Sequence, residues 1–247
     1  MNYMNPCTET GGLLYGNNII HTHGHERFLS AYIKEPETIY WISQFKDDSV
    51  FYDIGANVGL YSLIAGSKGC KVYSFEPESK NFTLLNGNIQ LNSYDITAYC
   101  LAVYDKFLVD KLYCSNLDSY HNFKSKSKYQ ETKFTQGCIS LSLQQITEYL
   151  PSPNHIKIDV DGIEKTIVDG YDKFDELDSM LIEVNEDDEK EYIRERLSKY
   201  GFICTQIGDN MIFHRSSFDN KILLDLENIN VLQRIELGKK IFELSNE

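Results

Sequence analysis

The ten residues Val50-Phe-Tyr-Asp-Ile-Gly-Ala-Asn-Val-Gly59 constrain the fold more than any other part of the chain. Val50 to Ile54 is a short apolar run rich in β-branched and aromatic residues, the pattern of a buried strand. It leads into Asp53-x-Gly55-x-x-x-Gly59 and then into Leu60, Leu63 and Ile64 at helical spacing. A strand, a glycine turn and a helix make the first half of a βαβ nucleotide-binding unit. Such a turn bends tightly and brings bare backbone close to a ligand, so it needs residues without a Cβ. Lys71 to Phe75 reads as the next strand, and Glu76 ends it, about twenty residues past the turn. An acid there is placed to accept both hydroxyls of a ribose.

The spacing also speaks to the ligand. A dinucleotide site uses G-x-G-x-x-G, which seats a doubly charged pyrophosphate on a helix N-terminus. Here three residues separate Gly55 from Gly59, one of them Asn57, and the carboxylate of Asp53 stands at the strand tip. That carboxylate would repel pyrophosphate and attract a cation. The turn therefore favours S-adenosyl-L-methionine, a phosphate-free sulfonium, over a nicotinamide dinucleotide.

Further runs alternate strand and helix. Pro36 to Phe45 reads as a helix, as does Ser79 to Leu91, with Phe82, Leu85 and Ile89 on one face. Ile96 to Val103 reads as a third strand, His155 to Val160 as a fourth and Met180 to Val184 as a fifth. Asp187 to Tyr200 reads as a helix with acids in its first turn. Phe202 to Ile207 and Met211 to His214, joined by Gly208-Asp-Asn210, read as a hairpin. This order predicts an α/β fold with a doubly wound, mostly parallel sheet and a reversed last strand.

The expected organisation is a leader over residues 1–46 capping the substrate site, a main domain over 47–215, and a helical tail over 216–247. Within the main domain, 104–138 reads as an irregular insertion with one strand, Leu108 to Cys114. The tail carries Val231, Ile235, Ile241 and Leu244 at helical spacing, a stripe for this body or for a second copy in a homodimer.

At 247 residues and 42% hydrophobic content, the chain can bury one large core. Its net charge of −13 argues against nucleic acid as the partner and suits a neutral or cationic small molecule. Six cysteines show no C-x-x-C spacing, no apolar run approaches the length of a membrane span, and no leader peptide is evident. These features predict a cytoplasmic protein with reduced thiols and no membrane span.

Chemistry concentrates after the fourth strand, in Asp159-x-Asp161-Gly-x-Glu164. Ligands of a parallel sheet gather at the carboxyl ends of its strands, where Asp53, Glu76 and Glu183 also fall. Capping of the next helix by Asp161, with Glu164 three residues on, explains part of this acid cluster. Asp159 is the first choice for a general base, followed by Asp161 and Glu164. Lys157 could lower the pKa of a hydroxyl substrate. Asp159-x-Asp161 could instead hold a divalent cation, although two acids alone make a poor metal signature and no metal is expected. His21, His23 and His25 alternate and would share one face of an extended segment, as metal ligands, a substrate cover or a surface loop. Lys124-Ser-Lys-Ser-Lys128 reads as a solvated loop or as a guide for an acidic substrate.

The runs VFYDIGANVGLYSL, VYSFEPESKNFTLLNGNIQLN, LAVYDK and IKIDVDGIEKTIVDGY follow one another between roughly residues 48 and 185. Together they resemble the FkbM family of S-adenosylmethionine-dependent methyltransferases. The resemblance implies a Rossmann-like sheet and methylation of hydroxyls on a sugar, a glycan or a small secondary metabolite. It implies cofactor contacts from Asp53, Gly55, Asn57 and Gly59 at the methionine end, from Glu76 at the ribose, and from Ala102 to Asp105 near the adenine. Where the family carries Glu, this chain has Asp161, one methylene shorter with the same charge. Two other readings stay open: a methyltransferase-like domain that binds or assembles without catalysis, and a nicotinamide-dependent oxidoreductase.

Overall fold

The computed structural model describes residues 10–15, 18–23, 35–114, 121–123, 134–160 and 162–215. Strands β1 (Thr10–Tyr15) and β2 (Asn18–His23) form an antiparallel hairpin, followed by helix α1 (Pro36–Ser43). The nucleotide-binding unit is strand β3 (Val50–Ile54), helix α2 (Leu60–Ser67) and strand β4 (Lys71–Phe75). Helix α3 (Ser79–Gln90) and strand β5 (Ile96–Tyr99) follow. Then come β6 (Ala102–Tyr104), β7 (Leu108–Cys114), β8 (His121–Phe123) and β9 (Phe134–Ser142). The chain continues through α4 (Leu143–Ile146), β10 (His155–Ile158), α5 (Glu164–Asp169), β11 (Ser179–Glu183) and α6 (Asp187–Ser198). Strands β12 (Ile203–Ile207) and β13 (Asn210–His214) end it.

Seven strands build the central sheet in the order β12-β13-β11-β10-β3-β4-β5. Strands β3, β4, β5, β10 and β11 run parallel, and β13 is antiparallel to both of its neighbours, so it alone is reversed. The doubly wound α/β sheet with a reversed last strand is the one the alternation of elements predicts. The order turns back between β3 and β10, whose carboxyl ends therefore border a crevice where ligands bind in such sheets.

Alternation along the strands divides the core in two. Phe51 and Leu181 face one layer with Trp41, Ile42, Leu63 and Ile64 of α1 and α2. Tyr52, Ile54, Ile156 and Ile182 face the other with Ile167 and Val168 of α5 and Ile193 and Leu197 of α6. Both sides of the sheet are covered, which is why these strands read as continuous apolar runs.

Two expectations need correction. The run from Ile96 to Val103 is not one strand: a bond from Leu101 N–H to Tyr99 C=O (3.0 Å) folds the chain there. Beyond that fold, β6 belongs to a second sheet. The described residues of 104–138 are not irregular, because β6, β7, β8 and β9 form a four-stranded sheet in the order β6-β9-β7-β8. Position 138 falls in the middle of β9. That strand carries Thr135, Gln136, Gly137, Ser140 and Ser142, which dilute the apolar alternation by which a strand is recognised. The small sheet buries Leu112, Cys114 and Cys138 and exposes Val109 opposite Ile139.

Candidate active site

The turn after β3 is built by close contact. Gly55 has φ +80°, and a Cβ at that position would lie 1.9 Å from the backbone oxygen of Asp159. The glycine turn thus packs directly on the end of β10, and a bond from Asp159 N–H to Ile54 C=O (3.0 Å) fixes the approach. The N–H groups of Gly55 and Ala56 donate to Phe75 C=O (2.9 and 3.1 Å), tying the turn to β4 as well. Asn57 adopts φ +51° and Gly59 φ +91°, which aims the Asn57 N–H at Glu76 Oε2 (2.9 Å).

Glu76 receives a second backbone donor, Glu78 N–H, on Oε1 at 2.8 Å. Each carboxylate oxygen thus spends one lone pair on the backbone and keeps another for a hydroxyl donor. Burial lifts its pKa to about 7, against the pull of the two N–H donors. Asp53 is 1% exposed; Ser62 Oγ donates to its Oδ2 at 2.6 Å, and Ser62 also bonds Ser74 Oγ at 2.7 Å. Its Oδ1 is buried without a hydrogen-bond partner, as is Asn57 Oδ1. Burial raises the Asp53 pKa, opposed by Lys157 and by the Ser62 bond.

Lys157 lies beside Asp53 in the parallel ladder and shares its face of the sheet. It is 1% exposed, with Nζ 2.5 Å from Asp159 Oδ2 and 4.8 Å from the centre of the Tyr61 ring. Burial acts to lower its pKa, but Asp159, Glu35 and Asp53 outweigh it and hold the ammonium above its ordinary range. Glu35, just before α1, accepts a bond from Tyr61 Oη at 2.7 Å. Burial pushes Glu183, at the end of β11, up to about 8, helped by the charge of Asp159 and a hydrogen bond to it. Glu164 rises to about 8 through burial and the Asp159 charge, although it accepts a bond from Gly162 N–H (3.2 Å).

The structure therefore brings Asp53, Gly55, Asn57, Gly59, Glu76, Asp159 and Glu164 to the carboxyl ends of β3, β4 and β10, as the spacing predicts. Asp161 lies outside the described residues, and the N-cap of α5 is Ile163, which makes no side-chain capping bond. Ala102 and Asp105 bracket β6, and the Asp105 backbone packs against Gly170 after α5. Cys100, between β5 and β6, feels the charges of Glu76 and Glu78, which together with burial push its thiol up. His21 and His23 fall in β2, while His25, the Lys124–Lys128 loop and the tail 216–247 lie outside the described residues. No group of three or more metal-binding side chains occurs among the described residues.

Sequence reasoning assigns Lys157 only a supporting part and assigns none to Glu35, Tyr61 or Ser62. A lysine inside a parallel strand is the available signal for Lys157. Nothing near the motif points to Glu35, which arrives from before α1.

The donor set fits S-adenosylmethionine. The orphaned acceptors Asp53 Oδ1 and Asn57 Oδ1 suit the ammonium of its methionine end, and the remaining lone pairs of Glu76 suit ribose hydroxyls. A pyrophosphate would meet Asp53 instead of bare N–H groups. Sheet, turn and acids define a Rossmann-like methyltransferase that uses S-adenosylmethionine. Residues 53–204 match the family model described as the methyltransferase FkbM domain, and the chain belongs to that family.

No curated protein matches the chain. Among solved structures it is similar to precorrin-6y C5,15-methyltransferase from Geobacter metallireducens (12% identity, 72% of this chain and 84% of that one, TM-score 0.45). It is also similar to a ribosomal protein L11 methylase from Lactobacillus delbrueckii subsp. bulgaricus (12% identity, 77% and 79%, TM-score 0.45). A third likeness is to the T. thermophilus 16S rRNA N2 methyltransferase in complex with AdoMet and guanosine (11% identity, 83% and 49%, TM-score 0.49). The family assignment rests on the sequence match and not on these distant likenesses. Among the described residues, no helix is long and apolar enough to cross a membrane.

Proposed function

We propose that the protein methylates a hydroxyl of a sugar, a glycan or a small secondary metabolite, with Asp159 as the general base. The observation that carries this reading is the placement of Asp159. Its side chain is 36% exposed at the crevice, while Oδ2 is anchored 2.5 Å from the buried Lys157 ammonium. Bound S-adenosylmethionine would supply an electrophilic methyl group on a sulfonium, and the remaining work falls to the chain. Asp53 and Asn57 hold the methionine end and Glu76 the ribose. Asp159 orients the acceptor hydroxyl and takes its proton as the oxygen–methyl bond forms and the carbon–sulfur bond breaks.

An acceptor that is neutral or cationic is supported by the Asp159 carboxylate at the crevice and by the net charge of −13, which also disfavours nucleic acid. Free cysteines at 70, 100, 114, 138 and 204 support a reducing compartment such as the cytoplasm. Homodimerisation through residues 216–247 is part of the proposal, tested by sedimentation of the chain cut after residue 215.

The experiment is formation of S-adenosylhomocysteine from S-adenosylmethionine over a panel of monosaccharide, glycan and polyketide hydroxyl acceptors. The expected result is turnover with a hydroxyl acceptor. Asp159→Asn should then lose roughly 10²–10⁴-fold in rate at unchanged cofactor affinity. Turnover at the wild-type rate in that variant removes Asp159 as the base, and turnover only with amine or carbon acceptors removes the hydroxyl.

A further inference from the structure

We infer that Glu183 is a positioning residue of the methyl transfer: it shares one proton with Asp159, and loss of that proton turns Asp159 into the effective base. The inference rests on Asp159 being the base, as proposed above.

The geometry begins in the sheet. Ile158 of β10 and Ile182 of β11 are partners in a parallel ladder, so Asp159 and Glu183 leave the two strands side by side. Their carboxyl groups lie within hydrogen-bonding reach of one another. Two ionised carboxylates only accept, so a bond between them requires a proton on one. Lys157 decides which. Its Nζ is 2.5 Å from Asp159 Oδ2, so the negative charge is best placed on Asp159 and the proton on Glu183.

The surroundings agree. The groups acting most strongly on Glu183 are Asp159 and Lys157 from β10 and Glu35 from before α1. Across β11, its partner in β13 is Asn210, which carries no charge. From β3, Asp53 shares Lys157 with Asp159, and Glu164 of α5 feels the Asp159 charge. Tyr61 of α2 faces the same acids, and burial keeps it protonated. Among the described residues the Lys157 ammonium is thus shared by Asp53, Asp159, Glu35 and Glu183, so a further charge on Glu183 is only weakly compensated. Burial and Asp159 together keep the Glu183 proton until about pH 8.

While the pair holds that proton, the Asp159 carboxylate accepts from both Lys157 and Glu183 and is a weak base toward a third donor. When the proton leaves to solvent, the pair carries two negative charges against one ammonium, and its affinity for the acceptor's proton rises. Turnover should climb by up to about tenfold per pH unit below the inflection and level off above it.

The test needs neither acceptor nor cofactor. The full chain, carboxyl-labelled with carbon-13 at Asp and Glu, is titrated by NMR, and the two resonances are assigned by their loss in Glu183→Gln and Asp159→Asn. The expected result is that both resonances move together near pH 8 in the wild type, and that Asp159 stops moving there in Glu183→Gln. A Glu183 that titrates alone in the ordinary carboxyl range of about 4–5, or an Asp159 that titrates identically in Glu183→Gln, overturns the inference. Both variants are isosteric, and a shared inflection of two carboxyl resonances in the wild type is visible before either is assigned. Failure of the acceptor panel leaves this titration readable, so the two readings fail separately.

Discussion

Lys157 Nζ and Asp159 Oδ2 stand 2.5 Å apart at the end of β10, one side chain sealed in the core and the other 36% exposed. The pair spans the boundary between the sheet and the crevice. It sets a carboxylate at the crevice against an ammonium fixed in the core. Lys157→Met keeps much of the volume and removes the cation that acts on the buried Asp53. An unpaired buried carboxylate is costly, so the variant should lose about 3 kcal/mol at pH 8. Most of that loss comes from Asp53, because Asp159 remains partly solvated. Without Lys157 the folded-state pKa of Asp53 rises further. Stability is then fully present below the unfolded pKa and lost as pH rises, so the deficit should shrink toward pH 5. Urea denaturation at the two pH values checks this; an equal deficit at both sinks the argument.

The three glycines near the site should respond to alanine in a definite order. At Gly55 (φ +80°) the new Cβ meets the Asp159 backbone at 1.9 Å, which cannot give way without moving β10. A loss above about 4 kcal/mol, or failure to fold, is expected. At Gly59 (φ +91°) it meets the flexible tip of Leu85 at 2.5 Å, and about 2 kcal/mol is expected. At Gly162 (φ +89°) nothing lies within 4 Å, leaving only the backbone term of about 1 kcal/mol. Thermal or urea unfolding of the three variants gives the order directly. If Gly162→Ala cost as much as Gly55→Ala, the close approach of turn and strand would not be the reason for the glycine.

Much of this arrangement is legible in the sequence because the local code repeats the tertiary one. Asp53, Gly55, Asn57 and Gly59 occupy one turn, so their spacing carries their geometry, and Glu76 comes at the end of the next strand. The reversed last strand is equally visible in Gly208-Asp-Asn210 between two apolar runs. Glu35 and Tyr61 are not legible as partners, because their contact depends on how α1 packs against α2 and no period in the sequence encodes that. The second sheet escapes for a different reason. Strand β9 buries Ser140 and Ser142 while exposing Ile139, the reverse of the usual alternation, and includes Gly137, and β6 is only three residues long. Lys157 is easily underweighted: its charge gains meaning only from carboxylates that arrive from β3, from before α1 and from beyond β10.

Glu76 should couple cofactor affinity to pH. Its ordinary pKa of 4.5 rises to about 7 on folding, so the folded chain keeps a proton the unfolded chain gives up. The stability this confers is full below the unfolded value and is lost as pH rises through the folded one, a swing of at most about 3 kcal/mol. Ribose hydroxyls donate to the carboxylate and favour its charged form. S-adenosylhomocysteine should therefore bind more tightly at pH 8 than at pH 6. Glu76→Gln should weaken it by roughly 10–100-fold at pH 8 and abolish most of that pH dependence. Calorimetric titration at the two pH values decides it, and an unchanged pH dependence in the variant counts against the ribose role.

The same network bears on whether a metal takes part. Asp159 Oδ2 is held 2.5 Å from the Lys157 ammonium, and the charges of Glu35 and Asp53 act on that same point, although no three acids among the described residues are grouped as a metal site. A buried ammonium and a divalent cation cannot share those carboxylates without several kcal/mol of like-charge repulsion at such separations, by order of magnitude. The ammonium already supplies the positive charge that a metal would bring to Asp159. Methyl transfer should thus proceed unchanged, within about twofold, after dialysis against a chelator and in the presence of added magnesium or manganese. Lys157→Met vacates the point and leaves its acids in place. In that variant alone, added magnesium should restore part of the lost stability or activity. Loss of wild-type turnover on chelation, regained with a divalent ion, would place a metal in the reaction and return Lys157 to a structural part.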